Sequence, residues 1–70
     1  MDEYQARIII AYARSSMNRS EVAREFSVTP ATINYWFNQV ETVTGLNPRN
    51  FFDLGELYQI ASTILDNKKE

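Results

Sequence analysis

Residues 19–41 read RSEVAREFSVTPATINYWFNQVE, and this stretch decides the fold. It contains two helical patterns separated by a tight break. In the first, Val22, Ala23 and Phe26 fall on one face, with Ala23 small enough to let a second helix cross at close range. The break is Phe26-Ser27-Val28, a turn ending in an apolar plug. The second pattern opens with Thr29-Pro30, a hydroxyl able to cap the first turn and a proline that has no amide to leave unbonded. Ile33, Phe37 and Val40 then recur at i, i+4 and i+7. Short helix, small inward residue, plugged turn and a longer helix starting with small polar residues form the order a helix-turn-helix requires. Many such turns place glycine where the backbone must be left-handed; here Ser27 stands there, at an expected strain of about 1 kcal/mol.

The rest of the chain supplies two more helices. Upstream, residues 4–16 carry Tyr4, Ile8, Ala11, Tyr12 and Ser15 at helical spacing, with Ile9 and Ile10 widening the stripe. Asn18 with Glu21 fits a capping box for residues 18–26, with Ser20 as an alternative cap. The third helix is expected over 29–45, where Gly45 stops it by adopting the left-handed conformation. After a turn at Leu46-Asn47-Pro48-Arg49, the fourth helix is expected over 50–66. Asn50 would be its cap, with Asp53 in its first turn. Its stripe is Leu54, Leu57, Tyr58, Ala61, Ile64 and Leu65. Residues 67–70 read as a frayed polar end. The expected fold is one small all-α, four-helix domain over residues 1–70, its middle pair the helix-turn-helix, with the fourth helix packing over the first and third.

Composition narrows the function. A 70-residue chain has a thin core. It contains no Cys and no His, so disulfides and the usual zinc ligand sets are excluded, and no metal or cofactor is expected. No catalytic residue is expected either. There is no nucleophile–base pair, no glycine-rich phosphate loop and no carboxylate pair in an evident pocket. The longest apolar run, residues 8–13, is far short of the roughly 20 residues that span a bilayer, and it follows Asp2 and Glu3 rather than a basic segment. A cytoplasmic protein without membrane association is expected. Net charge is −2, unevenly spread: residues 7–49 are net positive through Arg7, Arg14, Arg19, Arg24 and Arg49, and both ends are acidic.

A family resemblance covers residues 8–65. The run VTPATINYWFNQVETVTGLNP (28–48), followed by FFDLGELYQIASTIL (51–65), resembles the C-terminal, Fis-like DNA-binding domain of PucR/CdaR-type bacterial regulators. Family members read approximately HRNTLRYRLRRIEELTGLDPRD. The matching positions are Thr32, Ile33, Tyr35, Phe37, Val40, Glu41, Thr44, Gly45, Leu46, Pro48, Arg49, Leu57 and Tyr58. The segment from Glu41 to Arg49 lies beyond the generic motif and is the most specific part. The resemblance implies sequence-specific binding of double-stranded DNA in a bacterial or phage transcription setting. Where the family carries arginine, this chain has Asn34, Trp36 and Gln39, and residues 29–45 contain no Lys or Arg. Phosphate contact then falls to Arg14, Arg19, Arg24 and Arg49, to helix N-terminal amides and to neutral donors. In the family this domain follows a large sensory portion; here it starts at a Met, and no small-molecule ligand is expected.

The candidate DNA-binding residues are Arg19, Ser20 and Arg24 for phosphates, and Thr29, Ala31, Thr32, Asn34, Tyr35 and Asn38 on the helix entering the major groove. Asn34 and Asn38 carry the donor–acceptor pair that suits adenine. Against this stands a plain reading in which these are solvated polar positions and Arg24 pairs with Glu21 or Glu25. Trp36 cannot share the core face with Phe37. It is either an edge filler or part of an interface, and Phe51 and Phe52 raise the same question, one expected under the turn and the other exposed. One module makes a small DNA interface, so a homodimer is expected. The alternative function is a protein-interaction adaptor on a helix-turn-helix scaffold that no longer reads DNA, which the acidic pI of about 5.0 and the uncharged third helix motivate.

Overall fold

The computed structural model describes residues 1–67, and these form four α-helices with no strand: α1 (Glu3–Arg14), α2 (Arg19–Glu25), α3 (Pro30–Thr44) and α4 (Phe51–Asn67). The expected polar end at Lys68, Lys69 and Glu70 lies outside the described residues, while Asn67 closes α4.

Each helix starts where a side chain can take up orphan backbone amides. At α1 the cap is Asp2, whose carboxylate accepts from the Gln5 amide (2.8 Å) while Gln5 Oε1 accepts from the Asp2 amide (3.0 Å). This capping box buries Gln5, so the inner face of α1 is Gln5, Ala6, Ile8, Ile9 and Tyr12, one step round from the expected stripe, and Tyr4 is left partly exposed. At α2 only half of the expected box forms. Asn18 Oδ1 accepts from the Glu21 amide (3.1 Å), but the Asn18 amide donates to Ser15 Oγ (3.0 Å) and not to Glu21. Thr29 Oγ1 caps α3 by accepting from the Thr32 amide (3.2 Å), with Pro30 at the first helical position. Asn50 Oδ1 accepts from the Phe52 and Asp53 amides, both at 3.0 Å, at the start of α4.

The helix ends are decided by backbone handedness. α1 and α2 close in the same way. The Met17 amide reaches back to the Tyr12 carbonyl (2.8 Å) and the Ser16 amide to Ala13 (3.3 Å). Likewise the Val28 amide bonds the Ala23 carbonyl (2.9 Å) and the Ser27 amide bonds Arg24 (3.2 Å). These are Schellman turns, and each needs a left-handed residue one position past the cap. Serine fills that position in both, at φ 60° for Ser16 and φ 57° for Ser27. Met17 is also left-handed, at φ 64°, so the chain leaves α1 through two consecutive left-handed residues. α3 ends on Gly45, at φ 76°, whose amide bonds the Glu41 carbonyl (2.8 Å).

The core gathers Ala6, Ile8, Ile9 and Tyr12 of α1, Val22 and Ala23 of α2, Ile33, Phe37 and Val40 of α3, and Leu54, Leu57 and Ala61 of α4. Tyr12 meets the Phe37 ring edge-on at 4.7 Å. α4 lies along α1, and α2 packs on α3. α4 comes closest to α1 and meets α3 only through the shared core. The buried Pro48 and the Asp53 carboxylate, which accepts from the Asn47 amide (3.0 Å), hold the turn so that α4 returns along α1.

Candidate nucleic-acid interface

α2, its four-residue turn and α3 carry the nine residues singled out from sequence for a DNA contact. Arg19 and Ser20 are exposed in the first turn of α2. Arg24, in its last turn, is exposed and makes no ion pair with Glu21 or Glu25; among the described residues the one ion pair is Arg7 with Glu3 (2.8 Å). Thr29 and Ala31 are exposed, and the Thr29 and Thr32 hydroxyls lie 3.1 Å apart, so the half-buried Thr32 is tied to the cap. Tyr35 is 53% exposed, one turn after Ala31 on the same row of α3.

Asn34 and Asn38, one turn apart on the adjoining row, are engaged within the protein. Arg19 Nη1 donates to Asn34 Oδ1 (3.0 Å). Arg49 Nη2 donates to the same oxygen (3.2 Å), to the Asn34 carbonyl (3.4 Å) and to Asn38 Oδ1 (3.2 Å). The Arg49 guanidinium also lies over the Phe37 ring, 5.3 Å from its centroid, an attractive cation–π arrangement. Both amide oxygens thus accept from arginine, and among the described residues their amide nitrogens have no hydrogen-bond partner. Two cations therefore converge on neutral acceptors, and among the described residues no carboxylate pairs with either. They share an open groove with Tyr12, Met17 and Ser20.

Arg49 is the member of this cluster that sequence reasoning placed least well. It stands in the turn before α4, 15 residues from Asn34 and 11 from Asn38, and no local pattern announces that approach. The signal available was its charge, which put it among the four arginines to which phosphate contact was assigned from sequence. The four arginines expected to share phosphate contact do not all lie together. Arg14 lines a separate groove with Arg7, Glu21 and Glu25.

The aromatic residues divide. Trp36 is half-buried, edge-on to Tyr4 (5.6 Å) and Tyr35 (5.1 Å), and Tyr4 in turn meets Phe26 (5.7 Å). This chain of rings covers the edge of the core. Phe51 and Phe52, by contrast, are both exposed, at 70% and 82%, so neither packs under the turn as expected. They stand beside a groove lined by Met17, Gly55 and Tyr58, none of them charged.

Comparison with known protein families, with curated proteins and with solved structures yields no match to this chain. No helix among the described residues is long and apolar enough to cross a membrane.

Proposed function

We propose that the protein is a DNA-binding helix-turn-helix module of the PucR/CdaR type, a small transcriptional regulator that reads duplex DNA with α3. In this reading α2 and α3 are the two helices of the motif. The observation that carries it is the convergence of Arg19 and Arg49, neither paired to a carboxylate among the described residues, beside the exposed row of Thr29, Ala31 and Tyr35. A cationic flank next to a small, uncharged helix face suits a groove-reading helix, where phosphates set register and base edges set sequence.

A homodimer belongs to the same reading. The Phe51–Phe52 pair and the adjoining groove contain both a protruding and a receiving element, as a two-fold contact between identical patches requires. No residue lining that groove is charged, so two copies would meet there without like-charge repulsion inside a chain of net charge −2. Two modules also give the affinity that one small interface lacks.

The rival is a protein-interaction adaptor. It draws on α3 itself, which has no Lys or Arg and exposes Val43 as well as Tyr35. Selection from a random duplex DNA library at low and moderate salt separates the two readings. Enrichment of a motif, with a palindromic spacing if the dimer forms, is the expected result. A folded protein that enriches nothing at either salt defeats the DNA reading and leaves the adaptor.

A further inference from the structure

We propose that Arg19 and Arg49 form a single binding site for one phosphodiester, and that Asn34 and Asn38 are positioning residues that hold the two guanidinium groups, not readers of bases. The inference rests on the DNA-binding reading and assigns the roles within it.

The geometry argues for one site. Asn34 Oδ1 accepts from both arginines, at 3.0 Å and 3.2 Å, so one neutral oxygen fixes the two groups side by side. Each guanidinium has five N–H donors, and these contacts occupy one nitrogen of each, Nη1 of Arg19 and Nη2 of Arg49. Among the described residues the remaining donors on both have no hydrogen-bond partner. Two like charges held together by an amide oxygen gain nothing from each other. An anion placed between their free donors removes the repulsion and completes the hydrogen bonding. Arg49 is further oriented by the Phe37 face, so the site is largely arranged before any ligand arrives. A planar fork suits the oxygens of a phosphate diester, and the site flanks the row of α3 that faces outward.

The same contacts explain the asparagines. A bidentate contact with adenine needs both the amide oxygen and the amide nitrogen of one side chain. Here Asn34 Oδ1 already accepts from both arginines, which fills its two lone pairs, and Asn38 Oδ1 is turned towards Arg49. Base reading by α3 then falls to Thr29, Ala31 and Tyr35, which have no such engagement with an arginine.

The test measures duplex affinity against salt for wild type, Arg19→Gln, Arg49→Gln, the double variant, Asn34→Ala and Asn38→Ala, with Arg7→Gln, at the arginine paired with Glu3, as control. All are checked for folding by far-UV circular dichroism. A shared phosphate predicts that the double variant lowers the slope of log affinity against log salt by about 1, the change for one neutralised phosphate, where two separate contacts would lower it by about 2. The asparagine variants weaken binding to all duplexes alike and leave the enriched motif unchanged. A slope loss near 2, no slope loss, or a motif altered at one or two base pairs by Asn34→Ala overturns the inference while DNA binding itself stands. If wild type binds no duplex at any salt, the DNA reading has failed, and a second arm judges the site alone. Arginine side-chain nitrogen resonances are followed while inorganic phosphate or acetate is added. Saturable shifts at Arg19 and Arg49 with phosphate, absent at Arg14 and Arg24, support the site. Shifts with acetate alone point to an acidic peptide and, like no shift, overturn it.

Discussion

The same substitution, glycine to alanine, is expected to move stability in opposite directions at the two glycines. Gly45 sits past the last turn of α3 at φ 76°, and a Cβ built there meets nothing within 4 Å. Its replacement is therefore a test of backbone handedness without any clash. A left-handed backbone costs an L-residue roughly 1–2 kcal/mol. The smaller unfolded ensemble of alanine returns about 0.4–1 kcal/mol. The net loss for Gly45→Ala is about 1 kcal/mol. Gly55 lies inside α4 with ordinary helical backbone, and its added Cβ also meets nothing within 4 Å. There alanine gains about 0.8–1 kcal/mol from helix propensity alone. For a domain of this size, 1 kcal/mol moves the melting temperature by about 4–8 °C. Thermal and urea unfolding followed by circular dichroism and by the fluorescence of the single Trp36 should show Gly45→Ala melting lower and Gly55→Ala higher. Gly55 also lines the groove beside Phe51 and Phe52, so each melt is run at two protein concentrations, because self-association makes the midpoint concentration-dependent. Shifts of the same sign in both variants at low concentration would falsify the account of how α3 ends.

Three further outcomes are expected. Phe37→Ala removes a fully buried ring that touches Tyr12 and supports Arg49, at a cost of about 3–5 kcal/mol, comparable to the whole stability of so small a domain; a cooperative melt near the wild-type midpoint would refute the central role given to it. Thr29→Ala removes the α3 cap and should lose about 1 kcal/mol in urea unfolding, whereas Arg24→Gln, exposed and unpaired, should change stability by less than about 0.5 kcal/mol. Phe52→Glu introduces a charge at the exposed apolar face and should give a monomer in sedimentation velocity with an unchanged helical spectrum; wild type that is monomeric at every concentration refutes the dimer surface.

The sequence by itself determined the number and nature of the helices. Thr29-Pro30, Asn18, Asn50 and Gly45 act on amides or backbone angles within four residues of themselves, so they are readable wherever the chain places them. The buried stripe Ile33, Phe37 and Val40 is legible for the same reason, since helical periodicity is local. Two features of local structure escaped. Asp2 with Gln5 carries the signal of a capping box with a less common pair, and Ser16 sits in a left-handed turn that glycine usually marks.

Tertiary structure alone decided which helices touch and what the polar residues of α3 do. Whether α4 lies on α1 or α3 depends on the direction of the turn at Pro48 and on how apolar stripes fit in three dimensions. Trp36 became the edge of a ring cluster because Tyr4, 32 positions earlier in the chain, folds against it. Asn34 and Asn38 look like base readers in one dimension. They hold arginines in three, because Arg19 and Arg49 arrive from 15 residues away on opposite sides. Hydrogen bonds at that separation are set by the packed core beneath them, Phe37 above all, and no pattern along the chain encodes them.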